Sequence, residues 1–223
     1  MDENWSDCVQ KYIFFDLDGT LLNTREGITT GISMALKKGF GIEEKPENLC
    51  HFIGPPLKRQ FMESYGFTEE QALYALKVYR QYYSTTGLYL NVPYDGIFKT
   101  AERLKNSGYI LAVATSKPTV YSLQMLEKHG VLSLFQVVSG CNLDGTRETK
   151  IEVIRHAMEK LDICDPKQVV MVGDRKFDIW GGKEAGMTTV GVTYGFGSRE
   201  ELEKAGADFI CSDATELSGY FIK

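Results

Sequence analysis

Histidine is scarce in this chain: of 223 residues only His51, His129 and His156 carry an imidazole. No GxSxG surrounds a serine, so a Ser-His-Asp hydrolase finds little support. No GxGxxG follows a strand, which removes the dinucleotide-binding fingerprint. The five cysteines, Cys8, Cys50, Cys141, Cys164 and Cys211, are odd in number and form no CxxC. They read as buried thiols in a reducing, cytoplasmic setting rather than as a disulfide frame or a zinc site. The acidic, polar start MDENWSDCVQK lacks a basic segment followed by an apolar one, so no secretory signal is expected. Every apolar run is too short to span a bilayer, and no membrane partner is expected. Clusters of basic residues are also missing, and the net charge is −5. A nucleic-acid polymer needs a basic stripe to displace its counterions, so none is expected as a partner. There is no internal repeat and no low-complexity tract.

What the chain does have is enough apolar sequence for a core, 43% of residues, arranged in short runs. Strands are predicted at 11–15, 109–115, 135–139, 168–173, 188–193 and 208–212. Several lack period-2 alternation, as strands covered on both faces do. Amphipathic helices are predicted near 95–107, 118–129, 148–161, 176–186 and 198–205. Such alternation implies a parallel sheet with helices on both faces. The interval from about 20 to 90 breaks the rhythm. It shows no convincing strand and reads as three helices, with Asn23 and Glu26 at capping-box spacing, Pro56 near one first turn and Thr68 as a cap. The chain is therefore expected to be one domain with an insertion, or two small domains.

The first strand, YIFF, runs into Asp16, with Asp18 two residues on and Gly19 behind it. In a parallel α/β sheet, ligands bind beyond the carboxyl ends of the strands. The same edge would receive Thr115, Ser116 and Lys117 from ATSKP, Lys150 at the start of a helix, and Asp174 and Asp178 from GDRKFD. Singly, each residue is more simply a helix cap, a turn residue or a surface lysine. Together they gather carboxylates that would repel one another and raise one another's pKa values. A divalent cation removes that repulsion, and all-oxygen ligands favour Mg²⁺. The lysine and hydroxyls would then face phosphate oxygens.

DLDGT, ATSK, Lys150 and GDRKFD resemble the four motifs of the haloacid dehalogenase-like phosphohydrolases. The resemblance covers nearly the whole chain. It implies an α/β fold: a Rossmann-like parallel-sheet core, residues 1–22 and 90–223, with a small α-helical cap domain, 23–89, inserted after the first strand. FIGPPL and the closing VGVTYGFGSREELEKAGADFI are similar to the phosphoglycolate phosphatase branch, and LDGTRETK to members described as 5′-nucleotidases. Asn23 stands where Asp is frequent, and Ile151 follows Lys150 where Pro is frequent.

The resemblance implies hydrolysis of small phosphomonoesters, a metabolite or nucleotide, through an aspartyl-phosphate. Asp16 would be the nucleophile and Asp18 the general acid and base. The Asp16 carboxylate, the Asp18 carbonyl and Asp174 would hold Mg²⁺. Thr115, Ser116, Lys117, Lys150 and backbone near Gly19 would bind the phosphoryl oxygens, with Asp178 orienting Lys150 or a metal-bound water. The insert would act as a lid, with His51, Lys58 and Arg59 as candidates for the leaving group, although Lys58 and Arg59 also fit a solvated helix face. The aromatic series Tyr74, Tyr79, Tyr82 and Tyr83 reads chiefly as packing. A phosphomutase acting on sugar phosphates and a non-catalytic regulatory module on the same fold stay open; a dehalogenase would have little use for Asp18. The chain is expected as a monomer or homodimer.

Overall fold

The computed structural model describes residues 10–222. The described residues divide into two compact units, 10–21 with 94–222, and Leu22–Pro93. Cys8 and most of the acidic start lie outside the described residues.

Strand β1 (Tyr12–Phe15) comes first, and Ile13, Phe14 and Phe15 are all fully buried. The helical unit follows. It opens with β2 (Leu22–Asn23) and α1 (Arg25–Phe40), continues through α2 (Leu57–Tyr65) and α3 (Glu69–Tyr83), and closes with β3 (Val92–Pro93). No strand was expected between about residues 20 and 90, yet β2 forms there and pairs antiparallel with β3, Leu22 with Pro93 and Asn23 with Val92. Two residues per strand carry no periodicity to read, and only the pairing reveals them. The ladder carries this unit to Pro93, past the expected boundary at 89.

The Asn23–Glu26 capping box does not form. Asn23 sits in β2, the N-cap is Thr24, and the Asn23 Oδ1 accepts from the Arg25 N–H at 3.2 Å instead. Thr68 does cap α3: its hydroxyl accepts from the Gln71 N–H at 3.3 Å, and Gln71 Oε1 accepts from the Thr68 N–H at 2.9 Å. Aromatic rings pack together with the aliphatic core of this unit. Phe52 and Phe61 lie 5.2 Å apart, Phe40 and Phe67 4.2 Å, and Tyr79 stacks on Tyr83 at 5.0 Å. Tyr79 and Tyr83 are buried core residues, whereas Tyr74 is exposed.

The remaining chain alternates as its pattern predicts: α4 (Ile97–Asn106), β4 (Ile110–Pro118), α5 (Thr119–Lys128), β5 (Val137–Cys141), α6 (Lys150–Lys160), β6 (Val169–Gly173), α7 (Lys176–Glu184), β7 (Thr188–Val192), α8 (Arg199–Ala205), β8 (Phe209–Cys211) and α9 (Ala214–Phe221). With β1 the strands form one parallel sheet, in the order β5-β4-β1-β6-β7-β8. All five residues of β6 are buried, which explains the unbroken apolar run VVMV. On one face Phe14, Ala112, Ala114 and Met171 pack against Val153, Ile154 and Ala157 of α6. The chain builds outward from β1 in one direction through β4 and β5, then returns to the other side through β6. That reversal leaves a crevice at the carboxyl ends of β4, β1 and β6, where ligands bind in open α/β sheets. No helix among the described residues is long and apolar enough to cross a membrane.

Candidate active site

Asp16 leaves β1 at the sheet's carboxyl edge, with its N–H donating to the Val172 carbonyl at 2.9 Å. The chain must then turn sharply, and Gly19 takes φ +89°, a region that a Cβ disfavours. Space demands glycine there as well: a Cβ on Gly19 would stand 2.2 Å from Asp174 Oδ2. Asp174 follows β6 directly and is fully buried. Its Oδ1 accepts from the Thr20 hydroxyl at 3.3 Å, and its Oδ2 from the Phe196 N–H at 2.7 Å. Asp178 lies in the first turn of α7, where its Oδ2 accepts from the Arg175 N–H at 3.0 Å.

Carboxylate oxygens of Asp16, Asp174 and Asp178 all lie within 4.8 Å of one another. Lys150 opens α6 behind the capping box of Thr149 and Glu152. Its buried ammonium bridges two of the three, 2.9 Å from Asp16 Oδ1 and 2.8 Å from Asp178 Oδ1, and donates to the Ala114 carbonyl at 3.0 Å. Thus β1, β4, α6 and α7 meet at one ammonium.

The electrostatics are unbalanced. Burial alone would lower the Lys150 pKa, but the Asp16 and Asp178 carboxylates outweigh it and hold the ammonium above its usual range. Burial, tempered by Lys150, raises Asp178 to about 6. Asp174 is held well above the carboxylate range, first by burial and then by the charges of Asp178 and Asp16. One ammonium therefore does not compensate three buried carboxylates. Hard oxygen donors short of positive charge suit a divalent cation of the Mg²⁺ or Ca²⁺ kind, so the residues present fit a metal.

Asp18 does not join the cluster with its carboxylate. Its Oδ2 pairs with Lys117 Nζ at 3.0 Å, both side chains being buried. Lys117, expected on the phosphate, is thus held on Asp18. Thr115, Ser116 and Lys117 are not helix-capping residues, because β4 continues through them to Pro118 after a register shift beyond Ala114. The Thr115 hydroxyl accepts from the Lys117 N–H at 3.3 Å, which curls the segment. His51, Lys58 and Arg59 belong to the helical unit and have partners inside it. His51 contacts the Asn48 carbonyl and Ser64, Lys58 pairs with Glu69, and Arg59 pairs with Glu63.

Several contributors escaped the sequence reading. Thr20 and the Phe196 N–H hold Asp174, and the Tyr194 hydroxyl donates to the Thr20 carbonyl at 3.1 Å. Gly195 lets the loop after β7 approach: a Cβ there would lie 2.3 Å from the Gly19 carbonyl. The signal was available, since YGFG follows a buried strand at the same edge that marked Asp174.

The family model for haloacid dehalogenase-like hydrolases matches residues 13–192. A 5′-nucleotidase of Pseudomonas aeruginosa is 42% identical over 206 residues, 92% of each chain. The tyrosine-protein kinase PtkA of Mycobacterium tuberculosis is 34% identical over 91% of this chain and 69% of its own. The crystal structure of a predicted phosphatase from Clostridium acetobutylicum superposes with a TM-score of 0.93, at 45% identity, covering 96% of this chain and 99% of that one. This chain belongs to the haloacid dehalogenase-like hydrolase family and is one of its phosphatases.

Proposed function

We propose that the chain is a Mg²⁺-dependent phosphatase of small phosphomonoesters that works through a phosphoryl group held on Asp16. The observation that carries this reading is the buried cluster of Asp16, Asp174 and Asp178 bridged by Lys150. Asp16 would attack phosphorus in line and expel the alcohol. Water would then attack the phosphoryl group and restore the carboxylate, so that one difficult displacement becomes two easier ones. Asp18 would protonate the departing oxygen and later take a proton from water. Lys117, 3.0 Å from Asp18, fixes that side chain in place. Asp16, the Asp18 carbonyl and Asp174 would hold Mg²⁺, which supplies positive charge for the incoming phosphate. Thr115, Ser116, the Gly19 backbone and Lys150 would bind the phosphoryl oxygens, since phosphoryl transfer gains mostly from positioning and charge stabilisation. Asp178 keeps the Lys150 ammonium directed at Asp16, 2.8 Å from one and 2.9 Å from the other.

Nucleoside 5′-monophosphates are the substrate class favoured by the 42% identical 5′-nucleotidase. Phosphate release from a panel of nucleotides, 2-phosphoglycolate and sugar phosphates, with Mg²⁺ and then with EDTA, tests the reading. Turnover is expected for nucleotides, abolished by EDTA and by Asp16→Asn. Undiminished hydrolysis by Asp16→Asn would remove the covalent role, and preference for 2-phosphoglycolate would move the substrate assignment to that ester.

A further inference from the structure

Arg147 stands in the loop between β5 and α6, three residues before Lys150, with a left-handed backbone of φ 55°. Among the described residues only Asp162 is another non-glycine with positive φ. That conformation is costly for any residue with a Cβ, and it persists only where surrounding contacts over-determine it. Here the contacts come from the arginine's own side chain. Its Nε donates to the Gly140 carbonyl at 2.8 Å, and its Nη2 to Asn142 Oδ1 at 3.0 Å and to the Thr119 hydroxyl at 3.5 Å. Thr119 Oγ1 also accepts from the Gly140 N–H at 3.0 Å. One guanidinium therefore joins the end of β5, the loop after it and the first residue of α5.

Both flanks of this junction lead to the site. Thr119 directly follows the Thr115–Pro118 extension of β4, and Gly140 lies so close to it that a Cβ would be 2.2 Å from the Lys117 carbonyl. Past Arg147, Thr149 caps α6 and Lys150 reaches Asp16. Within the intervening turn the Asn142 N–H donates to the Thr146 carbonyl at 3.0 Å, and the Thr146 N–H to Asp144 Oδ1 at 2.9 Å. Arg147 ties this turn to the sheet through the Gly140 carbonyl of β5.

We propose that Arg147 is a positioning residue for phosphoryl transfer, clamping the Thr115–Lys117 segment and the start of α6 in mutual register. The proposal rests on the reading of Asp16 and Lys150 as the reacting site. A planar fork of donors is required to span three acceptors on different segments, so lysine does not replace it.

Arg147→Gly is the informative variant, because it removes the guanidinium while the backbone stays in a conformation that glycine adopts freely. Hydrolysis of p-nitrophenyl phosphate with Mg²⁺ is measured beside wild type, Arg147→Lys and Asp16→Asn, together with urea midpoints. The urea midpoint of Arg147→Gly should match wild type while kcat/KM falls about 10- to 100-fold, mostly in kcat, the scale expected of small misplacements. Arg147→Lys should remain impaired. Low-millimolar guanidinium, well below denaturing levels, should restore activity to Arg147→Gly and leave wild type unchanged. Wild-type kcat/KM in Arg147→Gly, or a loss that guanidinium does not reverse, overturns the clamp. Should Arg147→Gly fail to fold, full activity of Arg147→Lys overturns it instead. A wild type that hydrolyses nothing sinks the phosphatase reading and the clamp with it, whereas an active wild type beside an undamaged Arg147→Gly sinks the clamp alone.

Discussion

Replacing Lys150 with methionine keeps most of the side chain's volume and deletes the ammonium at the centre of the site. The group removed touches Asp16 at 2.9 Å, Asp178 at 2.8 Å and the Ala114 carbonyl at 3.0 Å, all in buried surroundings. What remains is three buried carboxylates without a cation. Breaking a buried ion pair by removing one partner typically costs about 3–5 kcal/mol, because the other charge is left uncompensated. With a urea slope of about 3 kcal/mol/M, the unfolding midpoint should fall by about 1 M or more. The assay is urea unfolding followed by circular dichroism in EDTA, so that no metal replaces the lost charge. Asp178→Asn keeps the acceptor for the Arg175 N–H and leaves Lys150 on Asp16, so it should cost less. The double variant should cost less than the sum of the two by more than about 1 kcal/mol, since the groups share one network. A Lys150→Met protein within about 0.5 kcal/mol of wild type in EDTA, or strict additivity with Asp178→Asn, would refute the argument that this ammonium compensates the cluster.

Two further outcomes follow from the geometry. Gly19→Ala places a Cβ at φ +89° and 2.2 Å from Asp174 Oδ2, so it should destabilise the fold by about 1–3 kcal/mol and raise the Mg²⁺ concentration needed for half-maximal activity; unchanged values of both would count against the close approach of the β1 turn to Asp174. Partial burial works against ionisation of Asp208, but Lys183 and the Thr189 N–H and hydroxyl outweigh it and hold the carboxyl below its usual range. The stability it contributes is therefore present above the unfolded carboxyl range and is lost as pH falls through the lower folded value. Urea midpoints at neutral and acidic pH should show a smaller acid loss in Asp208→Asn than in wild type, and an equal loss would contradict the assignment.

Much of the fold was legible because its strands are buried on both faces. That burial demands unbroken apolar runs such as VVMV, and the lengths of the intervening helical segments point to parallel crossovers. Asp16, Asp174 and Lys150 could be named because strand ends and helix starts place residues at one edge of such a sheet. Local chemistry was equally readable where it acts within one turn, as at Thr68, whose capping partner Gln71 lies three residues away.

Tertiary structure alone decided the pairings. The β2–β3 ladder joins residues about seventy positions apart with two-residue strands, too short for any pattern. The same pairing drew Asn23 out of its expected capping role. The Lys117–Asp18 pair joins a strand that runs on past Ala114 to the turn after β1, a contact that neither segment announces by itself. Thr20 and Phe196 act through single directed hydrogen bonds between distant segments and Arg147 through three from one guanidinium, and such bonds leave no periodic mark on the chain. Sequence by itself determined which groups reach the edge of the sheet, since hydrophobic period and turn residues are local properties. Which group touches which depends on distances of about 3 Å between loops, and only the packed sheet sets those distances.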